Sequence, residues 1–139
     1  MNNDNVSIQR KIQLYHTDAA GILFYSKVFD LAFEAFDALL ESAGVSIDYI
    51  ILESDFLFPY VHAEADYLLP LSVGQHVTIY DSVERVGESS CIISYEFFTL
   101  EKKKAISAKT VHVSIDKKTK QKIALPESLR TALKLYVKQ

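Results

Sequence analysis

From Ser26 to Ala43 the chain reads Ser-Lys-Val-Phe-Asp-Leu-Ala-Phe-Glu-Ala-Phe-Asp-Ala-Leu-Leu-Glu-Ser-Ala. No other segment constrains the fold as strongly. Phe29, Phe33, Phe36 and Leu40 recur at helical spacing and fall on one stripe, which Ala32, Ala35, Leu39 and Ala43 widen. Asp30, Glu34, Asp37 and Glu41 form a separate acidic stripe at the same spacing. Ser26 suits a helix N-cap and Gly44 a C′ stop. A single helix with this much aromatic surface is expected to be wrapped by a sheet rather than laid on a small patch.

The flanking sequence supplies the strands. Residues 6–14 alternate loosely, with Ile8, Ile12 and Leu14 toward a core and Gln9, Lys11 and Gln13 toward water. Ser46 to Glu53 reads as a short second helix. Phe56 to Leu69 reads as a strand interrupted near Pro59, with Val61, Ala63, Ala65 and Tyr67 alternating against His62, Glu64 and Asp66. After a turn at Pro70 and Gly74, Val77, Ile79, Asp81 and Val83 share one face of the next strand. A hairpin turn at Gly87 and Glu88 leads to Cys91, Ile93, Tyr95 and Phe97 in its partner. The charged turn Glu101 to Lys104 precedes a strand from Thr110 to Asp116 (Val111, Val113, Ile115), and Pro126 to Lys138 reads as a terminal helix with Leu129, Leu133 and Tyr136 inward. Strand, long helix, four strands in meander and a last helix predict an α+β domain with an antiparallel sheet. One helix covers only one sheet face, so an outer face or an edge is expected to meet another copy in a homo-oligomer.

With 139 residues, 49% of them hydrophobic, one domain over residues 1–139 is expected. A formal net charge of -3 argues against a nucleic-acid binder. Cys91 is the single cysteine, a buried core thiol by expectation, which excludes an intrachain disulfide and a cysteine-based zinc site. His76 and His112 lack metal-ligand spacing, so no metal is expected. The Met1–Asn5 start has no signal-peptide pattern, and no uncharged run reaches the ~18 residues of a membrane helix, so the expected location is the cytoplasm, away from membranes.

Between the first strand and the long helix lies Leu-Tyr-His-Thr-Asp-Ala-Ala-Gly-Ile-Leu-Phe-Tyr, residues 14–25. It places one carboxylate, Asp18, in a turn just before a helix N-terminus, where free N–H groups and a partial positive charge make a docked carbonyl more electrophilic. A carboxylate there can attack that carbonyl or activate water on it. The same residue could equally serve the turn alone, through an Asx hydrogen bond. Gly21 suits a positive φ or a close backbone approach. His16, two residues before Asp18, shares its face if the turn is extended; it orients the carboxylate, lines a pocket, or is a plain surface histidine. No Ser-His-Asp or Cys-His arrangement and no phosphate-cradling glycine loop occurs.

This element order, together with Tyr15, Thr17, Asp18, Ala20, Gly21, Phe24 and Tyr25, resembles the hot-dog fold and, within it, the 4-hydroxybenzoyl-CoA thioesterase family, over Ile8 to about Leu129. A second segment, Asp55 to Pro70, is similar to a strand of the 1,4-dihydroxy-2-naphthoyl-CoA hydrolases of the menaquinone and phylloquinone pathway. The resemblance implies hydrolysis of an aromatic acyl-CoA without a cofactor, by a homodimer or homotetramer. Asp18 would be nucleophile or general base, and the Tyr25 N–H the oxyanion donor. His16, Gly21, Phe24, Tyr60 and His62 would contact substrate, His62 at a ring hydroxyl. A thioesterase for short or medium aliphatic chains, and a hot-dog protein that binds an acyl thioester without cleaving it, remain the alternatives; the histidine–acid motif of hot-dog hydratases is not seen. Glu34 and Asp37 read as a solvated or interface-facing stripe. Lys102, Lys103 and Lys104 and the turn from Lys117 to Lys122 are the basic segments available to coenzyme A phosphates.

Overall fold

The computed structural model describes residues 6–138; the Met1–Asn5 start lies outside them. Its elements are β1 (Val6–Lys11), α1 (Lys27–Ser42), α2 (Ile47–Leu52), β2 (Phe56–Leu57), β3 (Tyr60–Tyr67), β4 (His76–Val86), β5 (Ser90–Thr99), β6 (Lys104–Val113), β7 (Ile115–Asp116) and α3 (Glu127–Lys134). A five-stranded antiparallel sheet runs β1-β4-β5-β6-β3, and β2 and β7 form a separate two-stranded ladder. Only β4, β5 and β6 are a meander. β3 crosses to the far edge and pairs with β6, from Tyr60 opposite His112 to Tyr67 opposite Ile106.

The helix α1 lies along the inner face of this sheet. The buried side chains are Val28, Leu31, Ala32, Ala35, Phe36, Leu39 and Leu40, so the buried stripe is rotated from the expected one. Ala32 and Ala35 face the strands because small side chains let helix and sheet approach closely. Phe29 and Phe33 are displaced to its flank, half-buried. The acidic stripe stays exposed, as expected. Gly44 at φ +84 takes the left-handed C′ position that ends the helix. Ser46 caps α2, its Oγ accepting the Tyr49 N–H at 3.2 Å.

The strands meet α1 with alternate residues. Val77, Ile79, Asp81 and Val83 of β4 and Cys91, Ile93, Tyr95 and Phe97 of β5 are buried, as their alternation predicts. On β6 the expectation fails: the buried face is Ile106, Ala108, Thr110 and His112, while Val111, Val113 and Ile115 are half-buried. Hydrogen bonding decides this register. The Tyr95 hydroxyl and Thr110 Oγ1 are 2.9 Å apart, and Thr110 Oγ1 lies 2.9 Å from His112 Nε2. That chain of partners satisfies Thr110 and one ring nitrogen of His112, whose buried Nδ1 has no partner among the described residues. β1 ends before Leu14, which is exposed rather than inward. Leu129 and Leu133 bury one face of α3, and Tyr136 is half-buried beyond its end.

Candidate active site

A 3-10 turn at Leu14–His16 lifts the chain away from β1. It turns His16 inward, to 4% exposure. His16 Nδ1 accepts the Gln13 N–H at 2.9 Å, so the neutral ring carries its proton on Nε2. Burial holds the imidazole below its ordinary pKa, against the opposite pull of Glu34 and Asp30. His16 is buried and Asp18 is exposed, although Thr17 between them is extended at φ -111, ψ 164 and bridges Leu23.

Asp18 organises the loop around itself. Its Oδ1 accepts the Ala20 N–H at 2.8 Å and the Ile22 N–H at 3.3 Å. Its own N–H donates to the Ile22 carbonyl, and its carbonyl accepts the Gly21 N–H, both at 3.0 Å. The Asx turn and the chemical role are therefore compatible, since Oδ2 has no partner among the described residues. Gly21 stands at φ +74, and a Cβ there would meet only Val73 Cγ1 at 3.7 Å, so backbone conformation rather than space selects glycine. The loop is stapled to the segment before β4: the Leu23 N–H donates to the Leu71 carbonyl at 2.8 Å, and the Val73 N–H to the Gly21 carbonyl at 2.9 Å.

Phe24 and Tyr25, with ring centroids 4.6 Å apart, lead into α1. The Phe24 N–H donates to the His16 carbonyl, and the Phe24 carbonyl accepts the Lys27 N–H, each at 2.9 Å. The Tyr25 N–H has no acceptor among the described residues. It lies beside the positive end of a 16-residue helix. Ser26 occupies the N-cap position but stands in the helical region at φ -72, ψ -23 and makes no side-chain cap. Next to the loop is an apolar cavity of about 290 Å³, whose lining includes Ile22, Leu23, Tyr67, Leu69, Leu71 and Ile106.

Tyr60 and His62 lie at the opposite end of β3 from this loop. The irregularity between them breaks the alternation, and they serve different faces. The Tyr60 ring sits 4.8 Å from Phe33 on the α1 side. His62 Nε2 is 2.9 Å from Glu64 Oε1 in an exposed pair on the other. Beside Tyr60, His112 is stacked on Phe36 and Phe58, with centroids at 4.4 and 5.3 Å; burial lowers its pKa to about 4. The sequence reading named Tyr60 but not His112 in this aromatic box, and it gave no role to Tyr67, whose hydroxyl donates to the Tyr25 carbonyl at 2.7 Å. The available signal was Tyr60 and Tyr67 at the two ends of β3. Glu34 pairs with Arg10 at 3.0 Å, both exposed. Lys104 pairs with Glu96, and Lys117 Nζ donates to the Ile51 carbonyl at 2.9 Å. Among the described residues no group of three or more His, Cys, Asp or Glu is placed to hold a metal ion, and no helix is long and apolar enough to cross a membrane.

The chain as a whole is similar to known proteins. A 1,4-dihydroxy-2-naphthoyl-CoA hydrolase from Rippkaea orientalis is 32% identical over 127 residues, spanning 90% of this chain and 92% of that protein. One from Acaryochloris marina is 31% identical over 124 residues, spanning 88% and 90%. The crystal structure of a 1,4-dihydroxy-2-naphthoyl-CoA thioesterase from Synechocystis superposes with a TM-score of 0.87 at 27% identity, covering 93% of this chain and 95% of that one. Residues 12–133 match the family described as the thioesterase-like superfamily. The long helix wrapped by an antiparallel sheet is the hot-dog fold, and the chain belongs to the thioesterase-like superfamily.

Proposed function

We propose that this chain, acting as one domain, hydrolyses the thioester of an aromatic acyl-CoA, with 1,4-dihydroxy-2-naphthoyl-CoA as its substrate. The observation that carries this reading is Asp18, held by the Ala20 and Ile22 N–H groups in the loop that leads to the Tyr25 N–H, which has no acceptor among the described residues. The names of the relatives from Rippkaea and Acaryochloris support the substrate. With the thioester carbonyl oxygen on the Tyr25 N–H, Asp18 attacks the carbonyl carbon or removes a proton from a water that does. The electron pair of the breaking C–S bond leaves with the coenzyme A sulfur, which takes up a proton; where Asp18 itself attacks, water then hydrolyses the acyl–Asp18 anhydride, and by either route the products are the carboxylate and the free thiol. A preorganised donor at the developing oxyanion contributes about 3 kcal/mol to the barrier reduction. Gly21 lets the loop approach the substrate, Phe24 and the cavity beyond Ile22 and Leu23 take apolar acyl surface, and His16 holds the loop. No cofactor takes part, and the setting is the cytoplasm, where acyl-CoA esters are made.

The assembled form in this reading is a homodimer, or a dimer of such dimers. β3 is an open sheet edge with Tyr60, Val61 and Tyr67 exposed. Unpaired strand edges invite another strand. β1, the other edge, is shorter and carries Arg10 and Lys11, which discourage pairing. A two-fold axis through the middle of β3 carries the Tyr60 and His62 end of one copy to the Asp18 end of the other, which accounts for their separation within one chain. Light scattering at micromolar concentration is expected to give twice or four times the chain mass; a monomer would refute this assembly.

Thiol release from a panel of aromatic and aliphatic acyl-CoA esters tests the activity. Strong preference for hydroxylated aromatic esters is expected. Preference for aliphatic chains would discard the substrate and keep the chemistry. Acyl-CoA binding without release from any ester would replace the hydrolase reading with that of a binding protein.

A further inference from the structure

The turn that leads into α1 lacks its usual internal support. Ser26 does not cap the helix, and the turn is closed on its own side by the Lys27 N–H donating to the Phe24 carbonyl. Beyond the Phe24 N–H bond to the His16 carbonyl, further support comes from 42 residues away, where the Tyr67 hydroxyl donates to the Tyr25 carbonyl at 2.7 Å. Tyr67 is well placed to act as a fixed post. It is the last residue of β3, opposite the buried Ile106. Immediately after it, the Leu68 and Leu69 N–H groups both donate to the Ala105 carbonyl, at 2.8 and 3.1 Å. The strand end is therefore pinned to β6, and the phenol reaches from a rigid element to an exposed turn.

We propose that Tyr67 is a positioning residue for thioester hydrolysis, holding the turn before α1 so that the Tyr25 N–H stays aimed at the forming oxyanion. The inference rests on the thioesterase reading and adds a residue to it. The Tyr25 carbonyl and N–H flank the same Cα, so fixing the carbonyl restricts the rotation that would swing the N–H away. An oxyanion donor helps only where it is preorganised, since a donor that must first be oriented loses its advantage at the moment of reaction. The Lys27 and Phe29 N–H groups of the first turn go to the Phe24 and Ser26 carbonyls at 2.9 and 3.3 Å. Support from β3 acts on the Tyr25 carbonyl and so orders the turn without taking the Tyr25 N–H.

Tyr67→Phe removes the hydroxyl and keeps the ring against Ile22, Leu23 and Ile106. With the ester best cleaved by the wild type, kcat is expected to fall about 10- to 30-fold, with KM within about threefold, because the contact acts on the transition state. The melting temperature is expected to stay within about 2 °C, since a partly exposed hydrogen bond contributes little to global stability. Hydrogen exchange at the Phe24 and Lys27 amides is expected to accelerate, with the interior of α1 unchanged. A wild-type kcat with unchanged exchange overturns the proposal. So does a rise in KM alone, which would make Tyr67 only a wall of the cavity, or a loss of kcat together with lower melting temperature and faster exchange throughout α1. If the wild type cleaves no ester, the thioesterase reading fails by itself; unchanged exchange would then also overturn the tether, and accelerated exchange would support it.

Discussion

Asp18→Asn is expected to lower kcat by at least about a hundredfold while leaving the fold intact, because it removes either a nucleophile or a general base, the latter alone worth ~10²–10⁴. Asparagine retains a side-chain oxygen for the Ala20 and Ile22 N–H groups, so the turn that presents residue 18 survives. Asp18→Ala removes that oxygen as well, and a loss of about 1 kcal/mol of stability is expected from the missing turn hydrogen bonds. The two variants thus separate chemistry from architecture: both inactive, only the alanine form less stable. KM in the asparagine variant is expected to stay close to wild type, since Asp18 is needed for the transition state rather than for holding the apolar acyl group. Steady-state thiol release with circular dichroism and thermal melting on both variants checks this. Turnover by Asp18→Asn at the wild-type rate would exclude Asp18 from the chemistry and leave it as a turn residue.

What the sequence made legible follows from the range of the interactions involved. The Asp18 loop is local. The carboxylate, the glycine at φ +74 and the aromatic pair lie within eight residues, and each restricts the backbone by itself, so the motif could be read in place. The existence of α1 was equally plain, but its orientation was not. Two apolar stripes overlap on it, and the periodicity of Phe29, Phe33 and Phe36 cannot reveal that the sheet selects Ala32 and Ala35 for close approach. On β6, valine alternation pointed outward because the burial of Thr110 and His112 depends on Tyr95, a residue of another strand. The place of β3 at the sheet edge, and the hydroxyl it sends to Tyr25, depend on pairing with β6, some 40 residues away in the chain. No local pattern encodes that pairing. Tyr60 and His62 were legible as candidates, but their separation from Asp18 and their opposite faces emerged only with the register.

Asp81→Asn is expected to stabilise the protein, by an amount that grows with pH. Asp81 is 1% exposed, and neither carboxylate oxygen has a hydrogen-bond partner among the described residues. Burial raises its pKa from 3.8 to about 8, only partly opposed by the nearby N–H dipole of its own backbone. Between those values the unfolded chain has released the proton and the fold still holds it. Stability therefore falls as pH rises across this window and levels off above about pH 8. His112 acts with the opposite sign: its pKa is lowered from 6.5 to about 4, so between those values the unfolded chain binds more protons and stability rises with pH. His112, and with it His16, whose pKa burial also lowers, oppose Asp81 up to about pH 6.5; between there and pH 8 the falling slope is that of Asp81. At about 1.4 kcal/mol per pH unit, the wild type is expected to lose about 2 kcal/mol between pH 6.5 and 8 through this group. The asparagine variant keeps the shape of the carboxyl group and cannot ionise, so its advantage at pH 7 is expected to be on the order of 3–4 kcal/mol, and close to zero near pH 4. Comparing the two proteins cancels the titrations they share. Urea unfolding at pH 4, 5.5, 7 and 8.5 measures the gap; one that is constant with pH, or that favours the wild type at pH 8.5, would mean that Asp81 is ionised and compensated inside the fold.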